Sequence, residues 1–214
     1  MEKENTYFIK LNAEYLAKWI LYVFIFVSAG YLFSFLENLS YESGKISISY
    51  VLYYLAVAAR LLIAYCFLKL ATVEKKFSKS AFFIVLHSLF TVFSNFIINN
   101  TFSSLIFVVL FSITQFILDM YGGYLAYRGF TNLLTGLNDP LAKSWKIRWY
   151  TVVIINFLLL IGSLISEVFI NNLEKKSFFV VSWFSVVAIA VIIAQIYLLV
   201  ILYKTSDFFK KVNV

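Results

Sequence analysis

The sequence predicts an all-α, polytopic integral membrane protein, a bundle of six transmembrane helices with both termini in the cytoplasm. Three observations support this prediction: an apolar composition, six long apolar runs, and a one-sided distribution of lysine and arginine. Hydrophobic residues occupy 62% of the 214 positions and charged residues 14%, whereas soluble domains contain about 45–50% and about 25%. The mean hydropathy of +0.88 therefore points to a bilayer as the solvent.

Six apolar runs use nearly the whole chain, and each approaches the roughly 20 residues that a membrane-spanning helix needs. We predict a single membrane domain over 1–214, with spans over approximately 19–36, 48–70, 80–98, 103–127, 147–170 and 179–203. Residues 6–18 alternate apolar and charged positions at helical spacing, which predicts an interfacial amphipathic helix before span 1. No proline lies in any span, so we expect continuous helices.

The tryptophans and the single proline predict features at the span ends. Trp19, Trp145, Trp149 and Trp183 fall near span ends, where aromatic side chains commonly anchor a helix at the interface. Asp139 followed by Pro140 is typical of a helix start, with the aspartate as the cap. Because Trp145 and Trp149 share one face beyond this start, we expect span 5 to begin with a short surface helix.

The distribution of positive charge predicts the orientation of the bundle. Cytoplasmic loops of membrane proteins carry an excess of lysine and arginine. Fourteen such residues fall on one side of the predicted spans: Lys3, Lys10, Lys18, Lys69, Lys75, Lys76, Lys79, Arg128, Lys143, Lys146, Arg148, Lys204, Lys210 and Lys211. Only Lys45, Lys175 and Lys176 fall on the other side. We therefore expect a multi-pass protein of the plasma or inner membrane of a bacterium, with the basic side contacting anionic lipid.

Polar residues inside the spans mark the candidate site, because a charge in the hydrocarbon region is costly. Arg60 lies near the middle of span 2, and Asp119 is the only acidic residue well inside a span. At about 1.5 Å of rise per residue, both fall at compatible depths, which predicts a direct ion pair. The cytoplasmic half of the bundle collects these candidate binding residues: Arg60, His87, Gln115, Asp119, Asn156 and Gln195.

Two interpretations of this polar cluster stay open. It is either a cavity or relay open to the cytoplasm, with His87 as a titrating member, or a structural ion pair with interhelical amide bonds that set helix order. Arg128, near the inner interface, is expected to bind lipid phosphate or to share the cavity. The Gly122–Gly123 pair favours close helix approach over ligand contact.

The functional prediction is a non-enzymatic, membrane-embedded binding, regulatory or partner subunit. One histidine excludes an HExxH metalloprotease motif, and one intramembrane aspartate excludes a carboxylate dyad. We therefore expect no catalytic residues, no metal site and no cofactor. Expected partners are the bilayer and either another membrane protein or a second copy of the chain, but no nucleic acid. The alternative is a small-solute or ion transporter, proton-coupled through Asp119.

Overall fold

The protein is all-helical wherever its structure is described. The computed structural model describes residues 8–100, 105–168 and 173–212, which are helical apart from short turns. Residues 8–11 form a short helical segment, and six long helices follow: α1 (Ala13–Glu42), α2 (Ile46–Leu70), α3 (Lys76–Asn100), α4 (Leu105–Leu134), α5 (Asp139–Val168) and α6 (Leu173–Val212). Each predicted span corresponds to one long helix, although the predicted start at 103 and end at 170 lie outside the described residues.

Four helical stretches are long and apolar enough to cross a membrane, judged by length and composition: Ala13–Glu42, Ile46–Leu70, Lys76–Ser94 and Ser185–Val212. Helices α4 and α5 have 30 residues each, so they have the required length. Polar and charged side chains interrupt the apolar runs in the described parts of these two helices. The protein thus has the helices of a membrane-embedded protein, and the count of six spans stays a prediction.

The six long helices form a ring in chain order. Extensive contacts join α1 to α2, α2 to α3, α3 to α4, α4 to α5 and α5 to α6, and α1 also packs against α6. Hydrogen bonds reinforce individual interfaces between neighbouring helices of this ring, which we call seams. The Ser80 hydroxyl donates to the Gly122 carbonyl at 2.8 Å between α3 and α4, and the Ser206 hydroxyl donates to the Ala17 carbonyl at 2.8 Å between α6 and α1. Short connections make antiparallel neighbours, and the α1–α6 contact closes the circle.

The main hydrophobic core lies at one end of this ring. Its members come from the start of α1, α3 and α5 and from the end of α2, α4 and α6. Antiparallel neighbours bring those segments together at the end where α1 begins and α6 finishes, which we call the terminal end. Its largest fully buried side chains include Leu16, Leu70, Phe77, Phe130 and Phe209. The terminal end of the ring is therefore filled by closely packed side chains.

The segment predicted to lie on the membrane surface instead packs into the terminal core. Ile9 is 4% exposed, and Ala13 and Leu16 are fully buried. Helix α1 begins at Ala13 and continues without interruption to Glu42, so no boundary occurs at the predicted span start, Trp19. Phe8 and Leu11 remain exposed, at 46% and 66%, so the other helices cover only part of the apolar face that predicted contact with lipid.

The start of α5 also differs from the sequence prediction. The Asn138 side chain, rather than Asp139, accepts a bond from a first-turn amide, that of Leu141, at 3.1 Å. Asp139 accepts a bond from the Gly136 amide at 2.8 Å in the preceding turn, where Gly136 has a φ of 77° that favours glycine. No separate surface helix forms in this part of the chain, because α5 is continuous from Asp139 onward.

Candidate functional site

A cavity of about 500 Å³ lies inside the ring, next to the terminal core. All six long helices contribute to its lining, each through residues that recur at helical spacing on one face. In α5 this face carries Trp145, Arg148, Trp149, Val152 and Asn156. The cavity exists because the inward faces at this level carry small and polar residues among the large apolar ones, so the side chains do not fill the centre.

Five of the six residues predicted to form a polar cluster line this cavity: Arg60, His87, Asp119, Asn156 and Gln195. Gln115 is separate from them. Its side-chain amide donates to the Ser94 hydroxyl at 2.9 Å, which joins α3 to α4 as the structural interpretation anticipated. Arg128 is exposed and is not among the cavity-lining residues.

Arg60 and His87 contact each other across the α2–α3 seam. The Arg60 Nη1 lies 3.4 Å from the His87 Nδ1. A guanidinium group can only donate hydrogen bonds, so the imidazole Nδ1 must be the acceptor in this pair. The contact therefore requires a neutral imidazole whose proton is on Nε2. His87 is thus held as an acceptor toward Arg60, with one N–H group left for another partner.

The predicted direct ion pair between Arg60 and Asp119 does not form. Within the described residues, the ion pair that the structure contains is Lys211–Asp207, at 2.6 Å on the surface of α6. Asp119 lies on the same face of α4 as Gly123 and Phe130 and lines the cavity. Its side chain is exposed and is not buried against another charged residue. Arg60 and Asp119 line the same cavity, but they are not paired with each other.

Sequence reasoning missed two residues of this site, Arg148 and Tyr31. Both line the cavity, and the Arg148 guanidinium lies next to the Tyr31 hydroxyl and in electrostatic range of Asp119. The Nε atom of Arg148 is buried without a hydrogen-bond partner. Arg148 was counted with the basic residues of a cytoplasmic loop. Its spacing from Trp145 and Trp149 was the available signal that it belongs to the inward face of α5.

An aromatic floor separates the cavity from the terminal end. We use this name for Phe67, Phe77, Phe130 and Trp145, which are each at most 4% exposed. Phe130 stacks on Trp145 with ring centroids 4.1 Å apart and meets Phe77 edge-on at 4.9 Å. The Trp145 indole N–H donates to the Thr205 hydroxyl at 3.0 Å. Trp145 is therefore a core residue rather than the interfacial anchor that its position predicted.

This floor changes the expected direction of access. The sequence predicts a polar cluster that is open toward the side that carries the termini. Large aromatic side chains from α2, α3, α4 and α5 instead pack between the cavity and that side. Side chains of this kind leave no room for water because interiors pack at high density. The cavity is closed at its terminal end in the described part of the chain.

Gly122 and Gly123 both line the cavity, although they were expected to serve helix approach. A Cβ on Gly122 would lie 3.3 Å from the Phe83 Cβ, so this glycine does permit close packing of α3 on α4. A Cβ on Gly123 would lie 3.5 Å from the Trp149 ring, which is an ordinary contact. Gly123 therefore leaves space beside Trp149 and contributes to the volume of the cavity.

Comparisons with protein-family models, curated proteins and solved structures found no match to this chain. The site must therefore be interpreted from its own chemistry.

The lining of the cavity carries unbalanced charge. Among the described residues, its ionisable members are two arginines, Arg60 and Arg148, one aspartate, Asp119, together with His87, Tyr31 and Tyr127. With neutral histidine and tyrosine, two positive charges and one negative charge leave a net charge of +1. The remaining wall is mostly apolar, and it includes Ile63, Leu118, Ile155, Val191 and Leu198. The cavity thus joins a small charged region to an apolar surface.

Proposed function

We propose that this chain is a non-enzymatic, membrane-embedded binding, regulatory or partner subunit whose central cavity holds an amphipathic ligand. One observation carries the proposal: each of the six long helices directs at least one polar side chain into the same cavity of about 500 Å³. Those side chains are Tyr31, Arg60, His87, Asp119, Arg148 and Gln195. Ligand sites are typically cavities of roughly 300–1,000 Å³, lined by apolar residues with a few placed polar groups.

A purely structural role for this polar set is less consistent with the contacts. A structural cluster would satisfy its members through one another, as Gln115 and Ser94 do. Asp119 instead lies exposed in the cavity, and Arg148 keeps a buried Nε without a partner. Leaving a buried polar atom such as the Arg148 Nε unsatisfied costs roughly 1–3 kcal/mol. These groups are supplied with partners if a polar ligand group enters the cavity.

The proposed setting is the plasma or inner membrane, with six spans and both termini in the cytoplasm. The charge distribution supports this orientation, because lysines at the terminal end, such as Lys79, Lys204 and Lys210, are exposed and suited to anionic lipid. Arg128 is proposed to serve the same lipid contact. Membrane-impermeant thiol labelling of Lys210→Cys and Lys45→Cys in intact cells tests it. Labelling at position 45 but not at 210 supports the orientation, and the reverse pattern contradicts it.

Binding is tested with a brominated dodecanol, since bromine quenches tryptophan fluorescence on contact. Trp145 and Trp149 line the cavity, so they are reporters once Trp19 and Trp183 are replaced by phenylalanine. In nanodiscs, saturable quenching is expected. Ala126→Leu, which fills the cavity wall, should reduce it. Ala58→Leu, an identical change at an exposed position outside the lining, should leave it unchanged. Quenching that never saturates, or that both variants alter equally, contradicts the proposal.

The alternative function is a small-solute or ion transporter, proton-coupled through Asp119. The exposure of this carboxylate within the cavity favours it, because an accessible intramembrane acid can exchange protons. Transport also requires a second conformation in which the aromatic floor opens. Solute uptake by liposomes that Asp119→Asn abolishes, with Cys66 still protected from thiol reagents, would favour the transporter. Liposomes that accumulate no solute would leave the binding subunit as the better proposal.

A further inference from the structure

The central cavity has a polar layer, which we define as Tyr31, Arg60, His87, Asp119 and Arg148. Tyr31 is within electrostatic range of both arginines and of the aspartate. His87 is within range of Arg60 and Asp119. The five side chains therefore converge on one region of the cavity, although they belong to five different helices.

Neither arginine of this layer forms an ion pair within the described residues, although Glu37 of α1, outside the cavity lining, is within electrostatic range of Arg60. Arg60 has His87, a neutral acceptor, at 3.4 Å. Arg148 is beside Tyr31, a neutral hydroxyl, and its Nε has no hydrogen-bond partner. Asp119 is the one carboxylate among the described lining residues, and it forms no ion pair with either arginine. Arginine does not lose its proton in proteins, so this layer retains a surplus positive charge.

The arginines also approach the cavity from opposite sides. Arg60 is on α2 and Arg148 is on α5, and three steps around the six-helix ring separate these helices. A ligand group between them can accept hydrogen bonds from both guanidinium groups, while the Tyr31 hydroxyl is a further donor. A cation placed there would face two positive charges and one negative charge. The arrangement selects against cations.

We propose that the polar layer binds the anionic head group of a single-chain amphiphile, whose apolar tail occupies the rest of the cavity. This inference rests on the proposed binding function and specifies its ligand class. A head group with one negative charge neutralises the surplus charge of the lining and supplies a charged acceptor to Arg60 and Arg148, whose neighbours His87 and Tyr31 are neutral. The tail lies against the aliphatic wall formed by residues such as Ile155, Val191 and Leu198. Carboxylate and phosphate head groups share this chemistry.

The experiment compares three brominated probes with the same twelve-carbon chain: dodecanoate, dodecyl phosphate and dodecanol. Full-length protein with Trp145 and Trp149 as reporters is placed in phosphatidylcholine nanodiscs, and quenching is compared at equal probe content of the bilayer. At least one anionic probe should saturate at a concentration roughly tenfold or more below that of the alcohol, as expected for hydrogen bonds to charged groups. Preference for the carboxylate indicates a fatty acid, and preference for the phosphate indicates a phosphorylated lipid.

Matched variants test which arginines produce the preference for an anionic probe over the alcohol. Arg60→Gln and Arg148→Gln should each weaken binding of the anionic probe by a larger factor than binding of the alcohol, so that the preference for the anionic probe is lost. Arg128→Gln, the same substitution outside the cavity lining, should keep the preference. Continued protection of Cys66, which is fully buried, shows that each variant is folded.

The outcomes separate the two proposals. If all three probes saturate equally in the unaltered protein, or if Arg128→Gln removes the preference as strongly as Arg60→Gln, head-group recognition is overturned and cavity binding remains. If no probe saturates, the proposed binding function itself fails.

Discussion

Replacing Gly129 by alanine should destabilise the terminal end through one specific contact. A Cβ at this position would lie 2.9 Å from Cε1 and from Cζ of the Phe77 ring. Phe77 is fully buried, and its ring is wedged against Phe67 at 5.3 Å and Phe130 at 4.9 Å between centroids. The ring therefore has no free space into which it can move. Overpacking of this kind costs about 1–3 kcal/mol.

Gly30→Ala is the matched control for this substitution. Gly30 is also inside a helix, but a Cβ there would lie 3.7 Å from the Ala59 Cβ, an ordinary contact. Both substitutions gain about 0.5–1 kcal/mol because alanine favours a helix over glycine. The gain cancels when the variants are compared. Gly129→Ala should therefore have a free energy of unfolding about 1–3 kcal/mol below that of Gly30→Ala.

Cys66 provides the assay, since it is the only cysteine of the chain and is fully buried. Brief exposure to a maleimide across a titration with sodium dodecyl sulfate labels the unfolded fraction. The double variant with Phe77→Leu should recover part of the loss, because a smaller side chain removes the clash. Equal stability of Gly129→Ala and Gly30→Ala, or no recovery with Phe77→Leu, would refute this account of the packing.

Four further substitutions test individual contacts between neighbouring helices by the same labelling assay. Ser206→Ala removes the 2.8 Å hydrogen bond to the Ala17 carbonyl, and unfolding should become easier by about 1 kcal/mol; no change would show that ring closure does not use it. Trp145→Phe keeps an aromatic ring in the floor but loses the 3.0 Å hydrogen bond from the indole N–H to Thr205. The free energy of unfolding should fall by about 1 kcal/mol, and a rise would contradict this role. Gln115→Leu and Ser94→Ala, combined in a double-mutant cycle, should show a coupling energy of about 0.6 kcal/mol. Additive effects would show that the two side chains do not stabilise the protein through their hydrogen bond.

Helix type and position were accessible from the sequence because they depend on local patterns. Long apolar runs without proline predicted continuous helices, and each run corresponds to one long helix in the described residues. The same reasoning identified Arg60, His87 and Asp119 as exceptional, since polar side chains in apolar runs need a cavity or a partner. Helical rise placed them at one depth, and the structure brings all three to one cavity.

Partners across the ring were not accessible in the same way. Periodicity shows which face of a helix is polar, but the identity of the facing helix depends on how all six pack together. Arg60 thus contacts His87 at 3.4 Å rather than the predicted Asp119. Arg148 was missed because it follows Lys143 and Lys146, and a basic segment of this kind is typical of a loop next to a span. Trp145 was misassigned because a tryptophan near a span end has the same sequence signature at an interface as in a core.

The closing seam between α6 and α1 has a consequence for synthesis of the protein. Ser206 and Ala17 are separated by 189 positions, so this contact forms only after the last helix has left the ribosome. Until then the cavity lacks the wall that α6 supplies through residues such as Val191, Ala194 and Gln195. The candidate site is therefore incomplete until the last helix docks.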